Sequence, residues 1–304
     1  MGGDMAGDGL KTGTGRGSRG GFGAFRAFLE TIKFPHTVFA LPFALTGALL
    51  AARGIPATVP LLWILVAMVG ARTAAMGLNR LIDAAIDAAN PRTSSRALPA
   101  GRLGKGTVAL CAGMAAMLFL VAAHQLNPLC FRLAPAVLAV LTLYSYCKRF
   151  TAMCHLVLGL CLAGAPVGAW IALRGGVEPV PLILGLAVLL WVAGFDILYA
   201  LQDLEFDRKT GLHSVPARIG VRGSLRMARL FHLAALVLLA YLAMPAELGL
   251  VYLIGVAVAG CLMAYEHWLV RGGDLTRLDA AFFTMNGYVS MVIFLFTLLE
   301  LGAG

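Results

Sequence analysis

Residues 180–207 read VPLILGLAVLLWVAGFDILYALQDLEFD. Up to residue 202 the stretch is almost wholly apolar. About 20 such residues carry a helix across a hydrocarbon core of about 30 Å. The carboxylates of the stretch include Asp196 within the run and Asp203 and Asp207 just after it. At about 100° per residue, steps of seven and four place all three on one helical face. The pattern is that of a membrane-crossing helix with its acids gathered toward one end.

The rest of the chain fits the same picture. Of 304 residues, 60% are apolar and 13% charged, whereas a soluble domain carries about 25% charged residues. Too few charges remain to cover a soluble surface, so soluble, disordered, collagen-like and disulfide-stapled classes are excluded. Apolar runs occur at 34–52, 57–79, 106–124, 129–147, 154–173, 180–202, 227–244, 247–269 and 281–300. They are about twice as long as a barrel strand needs and lack its two-residue alternation. The predicted fold is an all-α integral membrane protein with nine transmembrane helices. Residues 1–32 are expected to form a flexible, basic cytoplasmic tail, and 33–304 one transmembrane domain. The split between the seventh and eighth runs rests on the short turn Met244-Pro245-Ala246-Glu247.

If the N-terminus is cytoplasmic, only Arg53, Arg132 and Arg174 of the 24 basic residues fall in outer loops. That strong bias predicts N-terminus in and C-terminus out. The net charge of +9 is then a topology signal, and no nucleic-acid or protein partner is expected. No apolar segment follows Met1 closely, which argues against a cleaved signal peptide. The six cysteines lie in or beside spans without a CxxC pattern, and read as small apolar residues. Gly164 and Gly168, four apart in the fifth span, read as a helix-packing pair.

A second acidic row ends the second span, where Arg72, Asn79, Asp83 and Asp87 share one face. The spacing of Arg72, Asn79 and Asp83 repeats that of Asp196, Asp203 and Asp207, which suggests a pseudo-repeat. Two facing rows of carboxylates repel unless a cation lies between them, and acids at membrane level are costly unless compensated. Oxygen ligands without Cys or His point to Mg²⁺. Metal ligands are therefore expected at Asn79, Asp83, Asp87, Asp203 and Asp207, with Glu205 off the face. Arg92, Arg96, Lys148 and Arg149 flank these rows, a combination suited to clamping a diphosphate. Arg72 sits about two turns deeper and is expected to neutralise an inner acid or an anionic substrate group. Arg102, Lys105, Arg208, Lys209, Arg222, Arg226 and Arg229 read as topology charge alone.

Asn79-xxx-Asp83-xxx-Asp87, followed by Arg92-Thr93-xx-Arg96-x-Leu98-Pro99-x-Gly101, resembles the first signature of the UbiA superfamily of intramembrane prenyltransferases. Tyr144-xxx-Lys148-Arg149 is similar to that family's loop between helices 4 and 5, and Asp196, Asp203 and Asp207 to its second aspartate motif. Phe34-Pro35-His36, Asn90-Pro91-Arg92-Thr93, Tyr265-Glu266-His267 and Met285-Asn286-Gly287 resemble the 4-hydroxybenzoate polyprenyltransferase-like branch. Several also resemble enzymes that prenylate dihydroxynaphthoate on the way to menaquinone. Asn79-Arg80 departs from the Asn-Asp of ubiquinone-type enzymes, and Pro35 from the acid common in this branch.

The resemblance implies Mg²⁺-dependent transfer of a polyprenyl group from polyprenyl diphosphate to a hydroxyaryl carboxylate, in the bacterial inner membrane with the site facing the cytoplasm. The allylic C–O bond breaks, Arg72, Arg92, Arg96, Lys148 and Arg149 hold the diphosphate, and Tyr144 or Tyr199 faces the carbocation. Lys148 also acts on the leaving group, and Asp196 or a water accepts the ring proton. Lys33 and His36 are candidates for the acceptor's carboxylate, or else interface residues. The rival expectations are another acceptor (haem, a chlorophyll precursor or a glycerophosphate lipid) and a cation-coupled transporter.

Overall fold

The computed structural model describes residues 40–271 and 284–303. The N-terminal tail, Lys33 and His36 lie outside the described residues. The described residues are helical and contain no strand. In order, α1 is Ala40–Ala52, α2 Thr58–Ile82, α3 Ala84–Ala89, α4 Lys105–Leu126, α5 Pro128–Cys147 and α6 Cys154–Arg174. Then come α7 Pro179–Ala200, α8 Leu204–Thr210, α9 Val215–Leu242, α10 Leu250–Leu269 and α11 Asn286–Ala303. Among the described residues, seven helical segments are long and apolar enough to cross a membrane, and α1 and α11 are shorter apolar helices.

Local sequence sets the boundaries. Asn127 caps α5, its Oδ1 accepting from Cys130 N at 2.9 Å, and Pro128 opens the helix. Ser214 caps α9 in the same way from Ala217 N at 3.2 Å. This cap and Pro216 in the first turn start α9 well before the apolar run at 227. Gly220, at φ 69°, kinks that early portion. Gly175 and Gly211, at φ 71° and 70°, close α6 and α8 in the left-handed conformation that glycine adopts without strain.

Both acidic rows differ from the continuous helices expected. α2 stops at Ile82, and Asp83 (φ −92°, ψ 2°) turns the chain into the short α3. α7 stops at Ala200, tightens into a 3₁₀ turn over Leu201–Asp203, and Asp203 (φ −99°, ψ 3°) turns the chain into α8. The two breaks share one backbone conformation, at Asp83 and at Asp203.

Among the helices long enough to cross a membrane, burial is greatest on α7. Phe43 of α1 packs on Trp191 at 5.1 Å and Phe195 packs edge-on to it at 5.0 Å. α4 shows the inverse of a soluble helix. Leu110, Met114, Met117 and Val121 form an exposed apolar stripe, while Val108, Ala112, Ala115 and Ala122 are buried. Apolar burial drives little association in lipid, so close packing must supply it. Gly159 lets the backbones of α6 and α7 meet: a Cβ there would lie 2.3 Å from the Leu189 carbonyl oxygen. Gly164 and Gly168 have nothing within 4 Å of such a Cβ, so the packing glycine of α6 is Gly159. A buried polar chain ties in the last helix. Trp191 Nε1 donates to Asn286 Oδ1 at 3.0 Å, and Asn286 Nδ2 to Glu266 Oε1 at 2.8 Å.

Candidate active site

The break at Asp83 buries a carboxylate at 3% exposure. Three donors from α2 and the α5–α6 turn compensate it. Lys148 Nζ donates to Oδ2 at 2.6 Å, Arg149 Nη2 to Oδ1 at 3.2 Å, and Asn79 Nδ2 to Oδ2 at 2.9 Å. Asn79 Nδ2 also reaches Ser145 Oγ at 3.3 Å. With its nitrogen so engaged, the Asn79 carbonyl oxygen remains available as a hard ligand. Arg149 is held by the carbonyls of Ser145 and Ile82 at 2.6 and 2.8 Å, which locks the α5–α6 turn onto the end of α2.

One turn on, Asp87 is also buried, at 5% exposure. Arg96 Nη1 donates to its two oxygens at 2.8 and 2.9 Å, and Arg80 Nη1 approaches at 3.4 Å. The following loop folds back on this residue, with Thr93 Oγ1 donating to the Asp87 carbonyl at 2.9 Å. Asn90 shapes the loop, its Oδ1 accepting from Arg92 N at 2.9 Å in an Asx turn.

That turn aims Arg92 across the bundle. Its Nε donates to Asp203 Oδ1 at 2.9 Å and its Nη2 to Oδ2, a two-pronged guanidinium–carboxylate pair. Asn90 Nδ2 adds a bond to Asp203 Oδ1 at 2.9 Å, and Arg92 Nη1 donates to Tyr199 OH at 3.1 Å. Burial works to lower the Arg92 pKa, but the Asp203 bond and charge outweigh it and hold it above the usual value. The two acidic helix ends are thus joined by Arg92 and Asn90. Asp207 accepts from Ser214 Oγ at 2.7 Å, which fixes the start of α9 to the same cluster. Glu205 is exposed and takes no part, as its helical position implied.

Three expected residues lie deeper. Asp196 Oδ2 meets His155 Nδ1 of α6 at 2.6 Å. Tyr144 is half-buried and lies close enough to feel the charges of both Asp196 and Asp83. Arg72 sits about 10 Å below Asn79 at 1.5 Å per residue. Its Nε is buried without a hydrogen-bond partner, and no salt bridge joins it to an acid among the described residues.

Mg²⁺ can be tested against this donor set. Among the described residues, no three His, Cys, Asp or Glu side chains already converge as a metal cage. Mg²⁺ does not require one, because it keeps waters and bridges one or two carboxylates to substrate phosphates. Asn79, Asp83, Asp87, Asp203 and Asp207 supply only hard oxygens, and the donor set fits. The cluster also contains residues that the spacing did not single out as ligands or clamps: Arg80, Asn90, Ser145, His155 and Ser214. Asn90 lay inside the motif Asn90-Pro91-Arg92-Thr93, where an Asn before a turn is a side-chain acceptor for the backbone.

The family model for the UbiA prenyltransferase family matches residues 40–288. A 4-hydroxybenzoate octaprenyltransferase of Tolumonas auensis is 32% identical over 247 residues, covering 81% of this chain and 85% of that one. The apo structure of a UbiA homologue from Aeropyrum pernix is 31% identical and superposes with a TM-score of 0.80, covering 87% of this chain and 98% of that one. A UbiA homologue from Archaeoglobus fulgidus bound to DMAPP and Mg²⁺ shares the fold at a TM-score of 0.70 with 20% identity, covering 91% of this chain and all of that one. Two aspartate-bearing helix ends, the cations that hold them, and these likenesses along most of the chain lead to one conclusion: this multi-pass, all-helical membrane protein belongs to the UbiA prenyltransferase family.

Proposed function

We propose that this prenyltransferase carries a polyprenyl group from polyprenyl diphosphate to a hydroxyaryl carboxylate of quinone biosynthesis, 4-hydroxybenzoate or 1,4-dihydroxy-6-naphthoate. The observation that carries the proposal is the charge arrangement at the two helix breaks. Arg80, Arg92, Arg96, Lys148 and Arg149 surround Asp83, Asp87 and Asp203 in direct ion pairs. Five cations against three carboxylates leave these residues with an excess of positive charge that suits an anionic ligand. An arriving diphosphate competes for Arg92, Arg96, Lys148 and Arg149 and releases the carboxylates they shield. Asn79, Asp83, Asp87, Asp203 and Asp207 would hold Mg²⁺, which would supply charge stabilisation for the leaving diphosphate oxygens.

The chain's own groups do the rest. Arg92 and Arg96 orient the diphosphate from the loop, and Lys148 and Arg149 from the α5–α6 turn. Departure of the diphosphate leaves an allylic cation, and Tyr144 or Tyr199 offers it a ring face. The helices keep water from quenching it. The electron-rich ring attacks, and Asp196 accepts the proton displaced from the ring carbon. Arg72 lies too deep for the diphosphate cluster. Its unpaired guanidinium suits the carboxylate of the acceptor instead, together with or in place of Lys33 and His36. Nine spans with the N-terminus inside would set all of this at the cytoplasmic face of a bacterial inner membrane, supported by the bias of Lys and Arg.

The test supplies membranes containing the protein with labelled polyprenyl diphosphate and, in parallel, the two acceptors. One acceptor becomes prenylated, EDTA stops the reaction and added Mg²⁺ restores it. No product from either acceptor overturns the quinone-pathway reading, and activity in excess EDTA overturns the metal.

A further inference from the structure

Asp196 has one hydrogen-bond partner among its described neighbours, and that partner comes from another helix. His155 is 3% exposed at the start of α6. Its Nδ1 meets Asp196 Oδ2 at 2.6 Å, and its Nε2 faces the backbone N–H of Val215 at 3.3 Å. Val215 is the first residue of α9, where backbone N–H groups have no partner within the helix. A backbone N–H can only donate, so it fixes Nε2 as the acceptor nitrogen. The ring proton then sits on Nδ1 and is donated to Asp196. One imidazole thus joins the starts of α6 and α9 to α7.

The consequence for Asp196 is geometric. A lone aspartate at this level would be free to turn between rotamers. With Oδ2 held by His155, the carboxylate keeps one rotamer and Oδ1 keeps no hydrogen bond. The side chain retains 17% exposure, so this oxygen is reachable although its surroundings are helical. The groups facing the pair are Tyr144 from α5, Cys154 beside His155, and Asp207 from α8. None of them offers Asp196 a competing hydrogen bond.

We propose that His155 is a positioning residue for proton removal: it holds Asp196 so that Oδ1 faces the ring carbon that has just received the prenyl group. The inference rests on the reading of Asp196 given above. After C–C bond formation the ring carbon is tetrahedral and the ring cationic. The C–H bond then breaks, its electron pair restores aromaticity, and the proton passes to Asp196 Oδ1. His155 keeps its Nδ1 proton throughout and gains no charge.

The experiment compares wild type, His155→Leu and His155→Gln in lipid nanodiscs, with acceptor carrying hydrogen or deuterium at the prenylated ring position. Mg²⁺-dependent binding of the prenyl diphosphate is measured separately. General-base catalysis contributes about 10²–10⁴ in rate, so loss of its alignment should lower kcat by about 10- to 100-fold in His155→Leu. KM and binding of the prenyl diphosphate stay unchanged. Deuterated acceptor reacts more slowly than protiated acceptor only in this variant, because proton loss has become limiting. His155→Gln recovers most of the rate, since its amide N–H can replace the imidazole donor. If wild type makes no product, the functional reading falls and this role falls with it. If wild type is active and His155→Leu matches it, only the positioning role falls. A slow His155→Leu with impaired diphosphate binding, no isotope effect and no rescue by Gln overturns it too, because that is the behaviour of a packing residue.

Discussion

Asp83→Asn separates the structural and chemical roles of the carboxylate at the first helix break. The substitution keeps the volume and the contact with Asn79, but removes the charge that faces Lys148 at 2.6 Å and Arg149 at 3.2 Å. Breaking a buried ion pair costs about 3–5 kcal/mol when the orphaned partner stays buried. Here the two partners have side chains 30% and 32% exposed. Water can solvate both cations, which brings the loss down to about 1 kcal/mol, the upper range for exposed pairs. The chemical loss is larger. A metal-held leaving oxygen is stabilised by several kcal/mol, and losing about 4 kcal/mol slows the reaction about 10³-fold. The variant should therefore insert and melt close to wild type while prenyl transfer nearly vanishes. The assay is single-turnover transfer from labelled polyprenyl diphosphate in nanodiscs at several Mg²⁺ concentrations, with a melting curve on the same samples. A folded Asp83→Asn protein that stays within about tenfold of the wild-type rate would refute the ligand role, because the metal would then be held without Asp83.

Arg92→Lys removes the two-pronged grip on Asp203 and cannot reproduce it with one ammonium. It should raise the KM for prenyl diphosphate about tenfold and leave the acceptor KM alone, as initial-rate kinetics will show. Arg72→Gln should have the opposite signature, with acceptor KM raised about tenfold or more and prenyl diphosphate binding intact. Gly159→Leu places a side chain where even a Cβ would lie 2.3 Å from the Leu189 oxygen. It should force α6 and α7 apart and lower thermal stability by about 3 kcal/mol or more, measured by melting in detergent.

The spans were legible because lipid leaves the backbone few choices, and a long apolar run can satisfy its own N–H and C=O groups only as a helix. The ends of α9 were less so. A capping serine and a proline extend it below the apolar run, through residues whose charges hid the helix from a hydropathy reading. The facing rows of aspartates were legible in kind and wrong in detail. Helical spacing places Asn79, Asp83 and Asp87 on one face, but it cannot show that the chain turns at Asp83 and again at Asp203. Like charges in a row called for pairing, solvation or a metal, and Lys148, Arg96 and Arg92 provide the pairing from within the chain. His155 was invisible for a different reason. A single histidine at the mouth of an apolar run looks like any buried histidine, and its partner lies 41 residues away on another helix.

The polar chain through Trp191, Asn286 and Glu266 has a meaning in time as well as in space. The indole of Trp191 and the amide of Asn286 lie 95 residues apart in sequence. At roughly 5–20 residues per second, translation delivers the second roughly 5–20 s after the first. During that interval an N–H in the middle of a newly inserted helix faces hydrocarbon, where an unsatisfied polar group costs several kcal/mol. Glu266 waits less, since its partner follows only 20 residues later. The arrival of the helix that carries Asn286 satisfies Trp191 Nε1 and Glu266 Oε1 together, so α11 acts as a latch on helices that are already in place.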